Sequence, residues 1–143
     1  MGKRKRLAAE ARKEVLKTTA VSKLNNCPTS PRKMRLMADM IRGKKVEFAL
    51  NALKFSTKEA AGRLRKVLLS ALANWQAKNE GARMEDESLY VKEVFVDSAR
   101  QLKRLRTAPQ GRGHRVRKRS NHITMILDTK SGLGQTTSTE ENN

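Results

Sequence analysis

The strongest hydrophobic pattern in the chain is a stripe of apolar side chains spaced as on one face of a helix. The stripe occupies the i, i+3, i+4, i+7, i+8 and i+11 positions, which are Leu64, Val67, Leu68, Ala71, Leu72 and Trp75. Ser56 and Glu59 have the spacing of a capping box, so this helix is predicted to begin at Ser56 and to end at Gly81. Leu68 and Trp75 are therefore assigned to the core.

Two shorter helices are predicted before it. Ser30 suits an N-cap and Pro31 the first helical position, which predicts a helix over Pro31–Arg42 that stops at Gly43. Apolar residues at helical spacing predict a second helix over Val46–Leu53. These three helices should supply one side of the hydrophobic core.

Runs rich in β-branched residues predict three strands. Residues 18–24 are a weak candidate, whereas Leu89–Val96 and Ile123–Leu127 have the length and composition of strands. A long connection joins the last two strands, so they should form a hairpin whose arm, residues 97–119, projects from the fold. A connection of this length is usually functional or disordered.

The arm is strongly basic, because it carries nine Lys or Arg residues between positions 100 and 119 and no Asp or Glu there. The nine are Arg100, Lys103, Arg104, Arg106, Arg112, Arg115, Arg117, Lys118 and Arg119. Such charges repel one another in water. A polyanion is the natural partner of the arm.

The composition of the whole chain indicates the same kind of partner. Its 143 residues suggest one domain, and 32 Lys and Arg against 14 Asp and Glu leave a net charge of +18. An excess of this size favours nucleic acid or an anionic membrane surface. Only 3% of the residues are aromatic and none lies in the arm, so we expect contacts to phosphates and to shape rather than base stacking.

The sequence offers little for catalysis or metal binding. His114 and His122 lack Cys residues or paired carboxylates at ligand spacing, and the single Cys27 is expected to be a buried, inert thiol. Residues 111–113, Gly-Arg-Gly, lack the context of a dinucleotide-binding loop and are interpreted as flexible backbone. Neither a secretory signal nor an apolar run of about 18 residues is present, so we expect an intracellular chain without a catalytic residue, metal or cofactor.

Composition divides the chain into three parts. Residues 1–17 form a basic, helix-prone extension, residues 18–130 form one globular domain that includes the arm, and residues 131–143 form a flexible polar tail. A locally acidic patch from Glu80 to Asp97 is expected to face away from the polyanion.

Several motifs resemble a family of ribosomal proteins. The segment from Ser30 to Lys44 and residues 71–75, Ala-Leu-Ala-Asn-Trp, resemble helices of the bacterial large-subunit ribosomal protein numbered twenty-two. The strongest match is Gly111-Arg112, followed after nine residues by the strand His122–Leu127, as in the C-terminal signature of that family. The resemblance covers residues 18–129.

The resemblance implies an α+β fold of three helices on a three-stranded antiparallel sheet, with one greatly extended basic β-hairpin arm. It implies a structural constituent of the cytoplasmic ribosome that binds large-subunit rRNA and aids 50S assembly. In this family the hairpin lines the nascent-peptide exit tunnel, so the implied partners also include neighbouring large-subunit proteins and the nascent peptide, but no membrane. By alignment, the tunnel-lining tip would be Leu102, Lys103, Arg104, Leu105 and Arg106.

The residues expected to contact RNA are the basic side chains of the arm, of the helix over 31–42 and of the loop after it, together with His114. They are Arg32, Lys33, Arg35, Arg42, Lys44, Lys45, Arg100, Lys103, Arg104, Arg106, Arg112, His114, Arg115, Arg117, Lys118 and Arg119. The chain departs from the family at Ala108-Pro109, where a basic residue and then a small one are usual. Arg106 and Arg112 are therefore the preferred phosphate contacts at that point.

Two other interpretations stay open on the sequence alone. One is a free-standing regulator or chaperone of RNA or DNA, which would present a compact basic face. The other is a membrane-surface binder, which needs bulky apolar residues opposite its charges. Residues 1–17 offer only a thin apolar stripe for that purpose.

Overall fold

The computed structural model describes residues 3–79 and 89–129, which form four helices and one antiparallel sheet of three strands. The helices are α1 (Lys3–Thr18), α2 (Pro31–Ile41), α3 (Val46–Phe55) and α4 (Glu59–Lys78). The strands are β1 (Ala20–Cys27), β2 (Leu89–Thr107) and β3 (Gly113–Thr129). The α+β class and the extended hairpin are confirmed. The expected number of three helices is too low by one, because the basic segment at the start of the chain is also helical.

The sheet has the order β1-β3-β2, and one of its faces forms the floor of the core. Three rows of opposed residues lie on that face: Ala20, Leu127 and Val91; Ser22, Met125 and Val94; Leu24, Ile123 and Val96. All of them are buried except Leu24, which is partly buried. Because side chains alternate between the faces of a strand, Phe95 and Thr124 point to the opposite face, where Phe95 is exposed.

Helices α2, α3 and α4 cover the core face with the apolar stripes that the sequence predicts. In α4, Leu64, Leu68 and Ala71 are fully buried and Trp75 is 3% exposed. The buried residues of the other two helices are Met34, Met37, Ala38, Ile41, Val46, Ala49 and Leu53. The helical periodicity therefore reports burial correctly in all three elements.

The helix starts differ in detail from the predictions. Ser30 occupies the N-cap position of α2, but its hydroxyl makes no capping hydrogen bond. Helix α4 begins at Glu59, so the predicted capping box with Ser56 does not form. Ser56 has extended backbone directly after α3, where its hydroxyl contacts Met37 Sδ at 3.8 Å. Glu59 bonds to Arg63 one turn further along α4, at 2.7 Å.

Three predicted features lie outside the described residues. These are the end of α4 at Gly81, the part of the acidic patch from 80 to 88, and the tail from 131 to 143. The last helical residue of α4 is Lys78.

Backbone hydrogen bonds fasten the end of α2 to the outer edge of β2. Gly43 follows the helix with a φ of +73°, a conformation that suits glycine, and its N–H donates to the Val91 oxygen at 2.8 Å. The Val91 N–H in turn donates to the Lys44 oxygen at 2.9 Å. The predicted stop at Gly43 is confirmed, and it places α2 against β2.

Two arginines of this region continue the attachment along the same edge. Arg42 Nη2 donates to the Val94 oxygen at 2.8 Å. Arg35 donates to the Val96 oxygen from Nε at 3.2 Å and from Nη2 at 3.0 Å. Unpaired strand edges invite pairing with other chains. The guanidinium groups cover part of this edge and provide hydrogen-bond donors for the Val94 and Val96 oxygens.

Candidate nucleic-acid interface

The basic arm is a continuation of the sheet beyond the helices. After a register shift between Ser98 and Gln101, β2 and β3 remain paired from Gln101↔Arg119 to Thr107↔Gly113. At about 3.3 Å per residue, this ladder extends the hairpin by roughly 20 Å. The connection that the sequence marks as a long loop is therefore mostly strand, and only residues 108–112 lie between the strands.

The chain turns at Gln110 and Gly111, later than the sequence predicts. Both residues have a positive φ, of 60° and 70°, and the Arg112 N–H donates to the Pro109 oxygen at 3.3 Å. Positive φ at both central positions is the signature of a type I′ turn, whose twist matches that of a hairpin. The predicted tip residues Leu102–Arg106 lie near the end of β2 and before the turn, because this run without Gly or Pro continues the strand pairing.

Basic side chains lie on both faces of the arm. Opposed residues of an antiparallel ladder share a face, and successive residues alternate between faces. One face carries Gln101, Lys103, Leu105, Arg115, Arg117 and Arg119, and the other carries Leu102, Arg104, Arg106, His114, Val116 and Lys118. A protein that rests on a flat anionic surface needs charge on one face only. A ribbon with this distribution can bind anionic groups on two sides.

The charges of the arm have no carboxylate partner within the described residues. Ion pairs such as Arg42–Asp39 lie in the globular part, and all nine basic side chains of the arm are exposed. Lys103 and Arg117 stand directly opposite each other, and like charges in this position destabilise a strand pair. Phosphate groups placed between such side chains would remove the repulsion and form charge-assisted hydrogen bonds.

Along one face of β3 the side chains change from buried apolar residues to exposed arginines. Leu127, Met125 and Ile123 lie under the helices on alternate positions, and Asn121 is the last buried residue towards the arm. The Asn121 side chain donates from Nδ2 to the Thr29 oxygen at 2.5 Å, so it fastens β3 to the loop before α2. The next residues on the same face are Arg119, Arg117 and Arg115. The strand alternation thus continues unbroken from the core into the arm.

The six basic residues of the globular part that were expected to contact RNA fall into two groups. The side chains of the first group are exposed and have no internal partner among the described residues, and they are Arg32, Lys33, Lys44 and Lys45. Arg35 and Arg42 form the second group, because their guanidinium groups bind carbonyl oxygens of β2. All six occur in one basic stretch of sequence, so only the docking of α2 on β2 distinguishes the two groups.

Two further cations are neutralised locally by carboxylates. A hydrogen bond to Glu59 raises the pKa of the Arg63 guanidinium. A hydrogen bond to Asp128, together with its charge, raises the pKa of the Lys92 ammonium group. Both cations remain charged at neutral pH, but each already has an anionic neighbour. They therefore contribute less to a polyanion-binding surface than the unpaired cations of the arm.

The described residues hold no group of three or more His, Cys, Asp or Glu that could bind a metal ion. His122 has a structural contact, since its Nδ1 accepts the Asn26 N–H at 3.1 Å. Cys27 is buried as predicted, with its Sγ 3.6 Å from the Thr29 hydroxyl. In the part of the chain that the structure describes, no helix has the length and apolar character to cross a bilayer.

Comparison with known proteins identifies relatives over nearly the whole chain. The family model described as ribosomal protein L22p/L17e matches residues 22–128. The large ribosomal subunit protein uL22 of Christiangramia forsetii is 66% identical over 127 residues, which cover 89% of this chain and 94% of that protein. The uL22 proteins of Flavobacterium psychrophilum and Bacteroides fragilis are 62% and 60% identical, over 127 and 131 residues. These matches cover 89% and 92% of this chain, and 93% and 96% of the two relatives.

Proposed function

We infer the function from the premise that this chain belongs to the ribosomal protein L22p/L17e family. It is a structural, non-enzymatic constituent of the large ribosomal subunit, which is a cytoplasmic particle in bacteria. Because the chain belongs to this family, it is interpreted neither as a free-standing regulator of nucleic acid nor as a membrane-surface binder. It leaves open how the chain is held in the particle and what the arm does there.

The arm is proposed to bind large-subunit rRNA by insertion between RNA segments. The observation that carries this proposal is the presence, on both faces of the ribbon, of exposed cations that have no carboxylate partner among the described residues, with like charges opposed at Lys103 and Arg117. RNA phosphates on two sides would neutralise both faces at once. The other proposed contacts of the arm are Arg100, Arg104, Arg106, Arg112, His114, Arg115, Lys118 and Arg119.

The globular part is proposed to add phosphate contacts through Arg32, Lys33, Lys44 and Lys45. These side chains are exposed and lie on α2 and on the loop that attaches α2 to β2. Arg35 and Arg42 are proposed to support this surface by holding α2 in place, with phosphate contact only as a second role. Binding of this kind joins rRNA segments and would thereby aid assembly of the subunit.

The distal arm is proposed to line the nascent-peptide exit tunnel, as the family resemblance implies. The lining residues would be the predicted segment Leu102–Arg106 and the turn beyond it at Gln110 and Gly111. Leu105 is 77% exposed, so its side chain is available to a passing peptide. Neighbouring large-subunit proteins would complete the tunnel wall around it.

The arm contacts are tested by the salt dependence of binding to large-subunit rRNA. Each phosphate contact contributes about −0.7 to −0.9 to the slope of log K against log salt. The double variant Lys103→Ala with Arg117→Ala should make the slope shallower by roughly 1.4 to 1.8. The matched control, Arg65→Ala with Lys66→Ala, removes the same charges from the exposed face of α4 and should leave the slope unchanged. Equal effects of the two variants would show that only net charge matters and would refute the arm interface.

The tunnel position is tested by cross-linking in ribosomes that carry a stalled, labelled nascent chain. A photoreactive residue at Leu105 or Gln110 should attach to the nascent chain. The control position is Phe55, which is 79% exposed on α3 in the globular part and should give no adduct. Failure of both arm positions to cross-link, with the protein present in the particle, would refute the tunnel assignment and leave the rRNA interface intact.

A further inference from the structure

Helix α1 has an exposed basic face, and its residues are not among those predicted to bind RNA. Its basic face contains Lys5, Arg6, Arg12 and Lys13, which form two i, i+7 pairs with small side chains along the middle of the face. Those small residues are Ala8 and Ala9. A neighbouring stripe contains Lys3, Leu7, Glu10 and Glu14 at i, i+4, i+7 and i+11, and its Glu10 borders the basic face beside Arg6. All described side chains from Lys3 to Glu14 are exposed.

The helix is poorly stabilised by its own charges. Its first turn contains no acidic residue, whereas residues 3–6 are all Lys or Arg. Cations at a helix N-terminus oppose the macrodipole, and anions there stabilise the helix. Within the basic face, only Arg6 has a carboxylate partner, Glu10 at 3.5 Å, among the described residues. An external anion bound near the start of α1 would therefore stabilise the helix.

We propose that the face formed by Lys5, Arg6, Arg12 and Lys13 is a second rRNA-docking surface, separate from the arm, that lies along a phosphate backbone. The two i, i+7 pairs place cations about 10.5 Å apart along the helix axis. Ala8 and Ala9 between them allow the helix backbone to approach the phosphates closely. The inference rests on the proposed function, because it takes large-subunit rRNA as the polyanion.

The opposite side of α1 distinguishes RNA from an anionic membrane. A helix that lies on a membrane buries bulky apolar residues opposite its charges. Here that side carries Glu14, which anionic lipids would repel, and Leu7 is half exposed and is the one bulky apolar residue among the described side chains of the helix. A phosphate backbone needs only the basic face, and it leaves the acidic side in solvent.

The test compares two double variants of the full chain in binding to large-subunit rRNA over a salt series. Lys5→Ala with Arg12→Ala removes one Lys and one Arg from the basic face. The matched control, Lys3→Ala with Arg4→Ala, removes the same charges from outside it. Alanine is the strongest helix former, so both variants retain the helix, which far-ultraviolet circular dichroism verifies. The face variant should make the slope of log K against log salt shallower by roughly 1.4 to 1.8, with the control near the parent.

Other outcomes separate this inference from the function on which it rests. Equal slopes for the two variants, or no change in either, would overturn the docking surface. Loss of slope in the Lys103→Ala, Arg117→Ala arm variant alone would overturn it while sustaining the arm interface. No binding of the parent chain to rRNA would remove the proposed function and this inference together. A face variant that loses binding to vesicles of anionic phospholipid but retains the parent rRNA slope would assign the surface to membranes, which also overturns the inference.

Discussion

At the scale of single residues, burial distinguishes side chains that hold the fold from neighbours of the same type. Leu68 is fully buried in the stripe of α4, whereas the next residue, Leu69, is 44% exposed. Leu68→Ala should lower the free energy of unfolding by about 2–5 kcal/mol, because it leaves a cavity in the core. Leu69→Ala should change it by less than about 0.5 kcal/mol. Urea unfolding of both variants measures this difference, and an unchanged midpoint for Leu68→Ala would contradict the core assignment.

The same distinction applies to charged residues of one helix region. Arg42 bonds to the Val94 oxygen and to Asp39, whereas Arg32 is exposed and has no internal partner among the described residues. Arg42→Ala should therefore cost about 1 kcal/mol of stability, the value for a hydrogen bond reduced for partial exposure. Its effect on the salt slope of rRNA binding should be small.

Arg32→Ala should show the reverse: an unchanged unfolding midpoint and a slope shallower by about 0.7 to 0.9, or one phosphate contact. Both variants are measured for unfolding and for rRNA binding, and each should change only one of the two quantities. If Arg42→Ala weakens rRNA binding as strongly as Arg32→Ala without any loss of stability, the structural role of Arg42 is wrong.

At the scale of elements, the arm is a two-stranded ribbon without a core on either side. Isolated hairpins are marginally stable in water, and this one also carries opposed cations. We expect amide hydrogens of residues 101–107 and 113–119 to exchange rapidly in the free chain and slowly on rRNA. Hydrogen exchange with mass spectrometry measures both states, and β3 from Ile123 to Leu127 serves as the internal control, protected in each. Strong protection across Gln101–Arg115 in the free chain would contradict this expectation.

The sequence predicts those elements that a core stabilises, because periodicity is a record of burial. The stripe of α4 and the β-branched runs of β2 and β3 predict their elements correctly for this reason. Beyond Asn121, towards the turn, neither face of the arm packs against a core. The sequence there no longer alternates between apolar and polar residues, although the strand pairing continues. The sequence therefore predicts strands that are too short and a tip that comes before the turn, which lies at Gln110 and Gly111. Hydrogen bonds of Arg35 and Arg42 depend on how α2 meets β2, which no local pattern contains.

At the scale of the whole molecule, the basic residues fall into two groups: those near the core, which are proposed to attach the protein to RNA, and those of the distal arm. The core lies between α2–α4 and one face of the sheet, and exposed basic residues extend outward from it on the arm and on α1. Each phosphate contact releases counterions and adds a similar amount to binding. The contacts are therefore roughly additive, and no single one decides binding. The cations nearest the core should then hold the protein in the particle. The distal arm should instead form part of the proposed tunnel wall.

Shortening the arm tests this division, provided that both strands lose the same even number of residues. Removal of an odd number from β2 alone would exchange the faces of every distal residue. Deleting residues 104–107 together with 113–116 preserves the face alternation, moves the turn about 13 Å towards the core and removes three arginines. Six of the nine basic residues of the arm remain, including Arg117, Lys118 and Arg119.

The shortened protein should still enter large subunits, because its remaining contacts near the core are sufficient for docking. Mass spectrometry of purified particles measures its occupancy, which we expect to equal that of the parent. Cross-linking from Gln110 to a stalled nascent chain should be lost, because the turn no longer reaches the peptide. A second variant that retains the full arm but carries Arg104→Ala, Arg106→Ala and Arg115→Ala controls for charge, and it should keep the cross-link. Particles that lack the shortened protein but contain this control would show that the length of the arm itself is required for assembly, contrary to the division proposed.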